Sequence, residues 1–199
     1  MKNWTTRNLV ALAVFGALWG VAEMSLGAVL HALKLPLTGL IMSGVGMLVA
    51  LTGYSFVPRR GAVLTIGVVA ALLKAFSVGS VVFSPMLAIV AEAILAELAL
   101  ALGGGPPRRA PMALAGALAG LWSFCHPFVG QGLLGGKSMG SIYSRLIEGG
   151  AKLLHLDPGA VSAILAALVL LHVVGGAVAG ILALGLGNQL ARRLRAGVA

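Results

Sequence analysis

The hydrophobic positions of this chain neither alternate nor recur on one face; they run on. Continuous apolar stretches occupy positions 8–31, 37–57, 61–83, 85–103, 110–130 and 159–190. A hydrocarbon layer about 30 Å thick takes roughly 20 helical residues to cross, so each stretch predicts a transmembrane helix. In lipid the backbone has to bond to itself, which a helix does within a single segment. Pro36, Pro58, Pro85, the Gly103-Gly104-Gly105-Pro106-Pro107 stretch, Pro127 and Pro158 fall at or near the proposed ends, where a missing N–H costs least. Ser84-Pro85 either separates the third helix from the fourth or kinks one long helix, and the helix lengths favour separation. The expected fold is an all-α integral membrane protein of six transmembrane helices, forming one transmembrane domain over residues 1–199. No tandem repeat or second domain stands out.

Between the fifth and sixth stretches, residues 138–155 place Ile142, Leu146, Leu153 and Leu154 near helical spacing against Arg145, Glu148 and Lys152. This predicts an amphipathic external segment, either capping the bundle or lying on the outer membrane surface. Gly149-Gly150 is expected to interrupt it.

Composition fits lipid as the solvent. Of 199 residues 59% are hydrophobic and 10% charged, and mean hydropathy is +1.04, which excludes an ordinary soluble domain. The net charge of +9 would suggest nucleic acid for a soluble protein. Here the cations sit in short clusters between apolar runs, so no nucleic-acid partner is expected. The clusters report topology instead. Lys2, Arg7, Arg59, Arg60, Arg108, Arg109, Arg192, Arg193 and Arg195 fall on one side, while Lys34, Lys137, Arg145 and Lys152 fall on the other. Cytoplasmic loops carry the excess of Lys and Arg, so both termini are expected in the cytoplasm of a multi-pass cell-membrane protein. The first run, Leu9 to Leu30, is too long for a secretory signal core and reads as a retained span. The single cysteine, Cys125, excludes an intrachain disulfide and leaves the compartment open.

Ionisable residues inside the bilayer are costly and mark interiors or cavities. At 1.5 Å per residue, Glu23, Lys74 and Glu92 lie roughly 11, 13 and 11 Å below the outer ends of spans one, three and four. They form one layer, which either holds a polar substrate or is an ion pair, Lys74–Glu92 or Lys74–Glu23, that only neutralises buried charge. Trp19 shares the Glu23 side of span one and offers an aromatic wall. His31 and Lys34, then Trp122, His126 and Gln131, then Tyr143 and Arg145 cluster toward the same side, with groups able to stack on a heteroaromatic ligand or hold an anion. Trp122 and Tyr143 serve equally as interfacial anchors. Glu97 lies about 140° around the helix from Glu92 and points to another neighbour or a cytoplasmic partner; His172 reads as a neutral core histidine. On the other side of span one, Ala13 and Ala17, broadened by Gly16, Gly20 and Gly27, permit close helix approach. His31, Cys125, His126, Glu23 and Glu92 are metal-ligand types without a diagnostic spacing, so neither a metal nor a cofactor is expected.

Ala13-Val14-Phe15-Gly16-Ala17 resembles the AxxxA motif in the first helix of the S components of energy-coupling-factor (ECF) transporters, and the expected six-span topology resembles theirs along the whole chain. The resemblance implies a subunit that binds a vitamin or related micronutrient between its outer loops. It also implies docking through Ala13 and Ala17 onto a membrane coupling subunit driven by two ATPase subunits, with the loaded subunit toppling in the bilayer to release its cargo. The mixed Glu23/Lys74/Glu92 layer favours a polar or zwitterionic organic compound over a bare ion. No GxxxxGK[ST] sequence is present to cradle phosphates, and no enzymatic role is expected. The alternatives are an intramembrane enzyme using Ser43 and His172, although Gly39 stands four residues before Ser43 and the GxSG-like pattern is absent, or a channel or non-transporting membrane scaffold.

Overall fold

The computed structural model describes residues 4–33, 35–76 and 83–196, and every regular element among them is helical. These are α1 (Thr6–Ala32), α2 (Thr38–Phe56), α3 (Ala62–Lys74), α4 (Phe83–Gly103), α5 (Arg109–Pro127), α6 (Met139–Leu154) and α7 (Val161–Ala196). Five stretches, Thr6–Leu30, Thr38–Phe56, Phe83–Gly103, Arg109–Leu133 and Val161–Arg193, are long and apolar enough to cross a membrane. The third stretch differs from the expected 61–83. It is helical over 13 residues, about 20 Å, short of a hydrocarbon layer, and residues 77–82 of that expectation lie outside the described residues.

The boundaries follow local chemistry. α4 is described from Phe83, and Pro85 lies in the first turn of that range, where a missing N–H costs little. Pro127 does not end its helix: the chain continues as a π-helical turn, Phe128–Leu133, extending the run past the expected residue 130. Pro127 has no N–H for the Ser123 carbonyl four residues earlier, and widening to a π turn is a common way to absorb that defect. α6 runs unbroken through Gly149-Gly150 because Gly150 is buried against Ile164 and Leu168 of α7. A side chain there would separate the two helices.

Hydrophobic side chains point both ways. Val10, Val14, Leu18, Val21, Leu102 and Leu170 are exposed, as a lipid-facing belt requires. The interior holds Leu12, Trp19, Met47, Leu51, Ile66 and Met112, all fully buried. The tightest seam joins α5 to α7. Gly116 and Gly120 face Gly176 and Gly180 so closely that a Cβ on Gly116 would meet the Gly176 carbonyl, and one on Gly176 would meet the Gly116 carbonyl. Lipid offers no hydrophobic force to press helices together, so contact between bare backbones supplies the packing.

One end of the bundle gathers the basic links. Arg59 lies 5.9 Å over the Trp4 ring, Arg108 donates to the Gly104 carbonyl at 2.9 Å, and Gly187 near the end of α7 packs on Ser55 near the end of α2. Glu97 of α4 reaches this end as well. Its carboxylate accepts the backbone N–H groups of Gly61 (2.6 Å), Val63 (3.0 Å) and Leu64 (3.3 Å). These are donors that the start of α3 cannot satisfy itself, and the negative charge suits the helix dipole. Glu97 thus serves a neighbouring helix. Of the nine cations expected together, Lys2 and the Arg195 side chain lie outside the described residues, and α7 carries Arg192 and Arg193 at this end.

Candidate functional site: an intramembrane carboxylate cavity

At the opposite end the bundle opens. A cavity of about 560 Å³ lies between α1, α2, α4 and α5, walled by Met42, Pro85, Ala88 and Ile89 and lined with polar groups from Glu23, Ser43, Ser84, Glu92, Ser123 and His126. Thr38, Gln131 and Lys137 also line it, and Lys137 donates to Gln131 Oε1 at 3.1 Å. The volume falls in the range of small-molecule sites, and a few convergent polar groups on apolar walls are their usual make-up.

Helix geometry places each group. Glu23 sits more than four turns into α1 and is 9% exposed; Glu92 sits near the middle of α4 and is 5% exposed. Lys74, the last residue of α3, donates to the Glu23 carbonyl at 2.8 Å and lies 3.8 Å from Glu23 Oε2. The layer formed by these three side chains therefore contains the Lys74–Glu23 ion pair. No cation among the described residues pairs with Glu92. Ser43 stands beside the Glu92 carboxyl, yet its Oγ is buried and completes no well-oriented hydrogen bond.

His126 Nε2 lies 3.0 Å from the Ser84 carbonyl and 3.3 Å from Ser84 Oγ. A carbonyl only accepts, so Nε2 carries the proton and donates there. It cannot at the same time act as base toward the Ser84 hydroxyl, and the pair holds α4 to α5. The Ser43 and His172 of the hydrolase alternative line different cavities. His172 Nδ1 donates to the Leu168 carbonyl at 2.7 Å, with its ring edge-on to Phe124 at 5.4 Å.

A second cavity of about 250 Å³ lies under α6, lined by Phe124, Leu146, Leu153, Leu168, His172 and Arg145. Thr38, Gly39, Ser123 and Pro127 line both cavities. Leu37, at φ 58 in the left-handed region, borders the smaller one. A branched side chain held in that conformation is strained, and here the strain sits beside the candidate site.

Several expected contacts fall elsewhere. Trp19 lines neither cavity; it is fully buried, wedged between Gly46 of α2 and Gly67 of α3, because two glycines leave a slot that only a large flat ring fills. Trp122 stands behind His126, ring centroids 6.1 Å apart, and Tyr143 is exposed on α6. Arg145 borders the second cavity, away from the carboxylates. The His31 side chain and Lys34 lie outside the described residues. On α1, Ala13 is exposed and Ala17 half-buried, whereas Gly16 and Gly20 pack on Val69 and Leu73 of α3 and Gly27 faces Met42, Glu23 and Lys74. The small-residue stripe is thus two surfaces, the glycines inward and Ala13 outward. Among the described residues no three His, Cys, Asp or Glu side chains converge as metal ligands.

The sequence reading did not assign the cavity hydroxyls of Thr38, Ser84 and Ser123, nor Ser43 as a lining group. One signal was available: Pro127 withholds an N–H from the Ser123 carbonyl, which marks α5 as irregular at that depth. No protein-family model, curated protein or solved structure matches the chain. The chain is all-helical among its described residues, with five helices apolar enough to cross a membrane and a ligand-sized, carboxylate-lined cavity within the bundle.

Proposed function

We propose that the chain is the substrate-binding subunit of an ECF-type importer, capturing a vitamin-like micronutrient and delivering it inward with a coupling subunit and ATPases. One observation carries this reading: a cavity of about 560 Å³ with two buried carboxyl groups lies at the end of the bundle opposite the arginine-rich links. By the positive-inside rule that basic end is cytoplasmic, together with both termini, and the cavity faces the outside. In this reading the chain has six spans, the five long apolar helices and one to which α3 belongs. α6 is the external cap, with its Arg145 bordering the smaller cavity that adjoins the site. Glu23, Lys74, Glu92 and His126 contact or orient the substrate.

Two further features support an importer over a scaffold. Ala13 is exposed within an outward strip that includes Val10, Val14, Leu18 and Val21, so a partner helix can approach α1 there without disturbing the α1–α3 packing. The chain also has no phosphate-binding loop of its own, and energy for import has to come from another subunit. Purification of the tagged chain from its native membrane, with its partners identified by mass spectrometry, tests the assignment. The wild type carries a membrane coupling protein and ATPases with phosphate-binding loops. Ala13→Trp with Ala17→Trp loses them while eluting as the same folded species. Absence of ATPases from the wild-type preparation, or their retention by the double variant, contradicts the assignment.

A further inference from the structure

Among the described residues, one of the two carboxyl groups lining the cavity lacks a cationic partner, and this speaks to the chemistry of its ligand. Glu23 and Glu92 both line the space, and Lys74 is committed to Glu23 through the carbonyl at 2.8 Å and the carboxylate at 3.8 Å. Glu92 is 5% exposed and has no cationic partner among the described residues. Burying an ionised carboxyl away from both water and a counter-charge is among the costliest arrangements in a protein. Beside it stands Ser43, 3% exposed, whose hydroxyl faces the Glu92 carboxyl. A single hydroxyl offsets only part of the cost of a buried carboxylate, and a cationic group offsets the rest. Both side chains line the cavity.

We propose that the cavity takes a small organic cation, whose positively charged nitrogen is received by Glu92 with Ser43 Oγ completing the contact. This inference rests on the reading of the cavity as the substrate site and names the class of its substrate. The bare-ion alternative is disfavoured by size: about 560 Å³ bounded by Met42, Pro85, Ala88 and Ile89 suits an organic body packed on apolar walls. Hydroxyl groups of Ser84 and Ser123 lie on the same wall as His126 and bond the polar rim of such a molecule. Lys137 stands at the exposed mouth, engaged by Gln131, where water and salt screen its charge. A cation received at Glu92 lets that carboxyl ionise beside the Glu23–Lys74 pair while the layer stays neutral.

Three shape-matched probes separate the possibilities: benzamidinium (cationic), benzamide (neutral) and benzoate (anionic), titrated into the purified full-length protein in lipid nanodiscs. Benzamidinium binds at least about tenfold more tightly than benzamide, and benzoate does not bind. Glu92→Gln, which keeps the shape and removes the charge, brings benzamidinium to the level of benzamide. Ser43→Ala weakens both nitrogenous probes without changing their order. Melting temperatures within a few degrees of wild type, on the order expected for small polar substitutions, establish that the variants are folded. The proposal is overturned if benzamide equals or exceeds benzamidinium, if the preference survives in Glu92→Gln, or if none of the probes binds. Co-purification of ATPases is a separate readout, so a cavity that prefers neutral or anionic probes removes the cation and leaves the importer standing.

Discussion

Leucine at both Gly116 and Gly176 leaves no folded protein. The α5–α7 seam is built from reciprocal backbone contact: a Cβ on Gly116 meets the Gly176 carbonyl, one on Gly120 meets the His172 carbonyl, and one on Gly180 meets the Met112 carbonyl. Carbonyls within two helices cannot rotate aside as a side chain would. Either leucine therefore forces the helices apart along their length, beyond the roughly 1–3 kcal/mol usual for overpacking a core that relaxes by side-chain movement. Separation also moves Ser123 and His126, which ride on α5, away from the cavity. Size-exclusion chromatography of the detergent-solubilised double variant gives aggregate or no protein. Gly149→Leu, at a position with open space around it, behaves as wild type and controls for added hydrophobicity. A monodisperse, thermally unchanged double variant would mean that the seam is not as close as described.

Trp19→Ala has the second-largest effect, through packing. Trp19 is fully buried, pinned by Gly46 on one side and Gly67 on the other, with Ala93 beyond Gly67. Removing the indole leaves a void that two glycines cannot fill, a class of change that costs about 3–5 kcal/mol. Trp19→Phe costs less than half as much, because Nε1 has no hydrogen-bond partner to lose. Thermal unfolding in detergent gives the order wild type, Trp19→Phe, Trp19→Ala. The wall-of-the-pocket role expected from the sequence predicts the reverse emphasis, with stability intact and ligand affinity lost.

These two sites show what the sequence made legible. Helix bounds came through wherever apolar runs and prolines agreed, as at Pro36, Pro58 and the Gly103–Pro107 stretch, and five of the six expected runs are long and apolar enough to cross, since length and backbone satisfaction constrain a membrane chain so strongly. The depth of Glu23, Lys74 and Glu92 was legible too, because rise per residue converts directly to position. Facing was less so. A helical wheel put Trp19 with Glu23, but one turn along α1 the neighbours change from the glycines of α2 and α3 to the open cavity. Small-residue spacing on α1 drew notice, while the glycine pairs that pack most closely, Gly116 with Gly120 and Gly176 with Gly180, were indistinguishable among 29 glycines. Which glycine meets which is a property of the partner helix, and no single segment contains it. On the third run, hydropathy does not show that Lys74 is tied to Glu23 at the last residue of α3.

The importer account stands or falls on a small molecule residing among Glu23, Ser43 and Glu92. Exposure of Ala13 and placement of the arginines speak to partners and orientation, whereas occupancy of the cavity speaks to purpose. Native mass spectrometry of the gently solubilised protein measures it directly, comparing wild type with Glu23→Ala, Lys74→Ala and Glu92→Ala. The account predicts one small organic molecule per wild-type chain, lost from the variants while each remains folded. A folded wild-type protein that carries nothing and takes up none of a panel of water-soluble vitamins, or an adduct that all three variants retain, would contradict it.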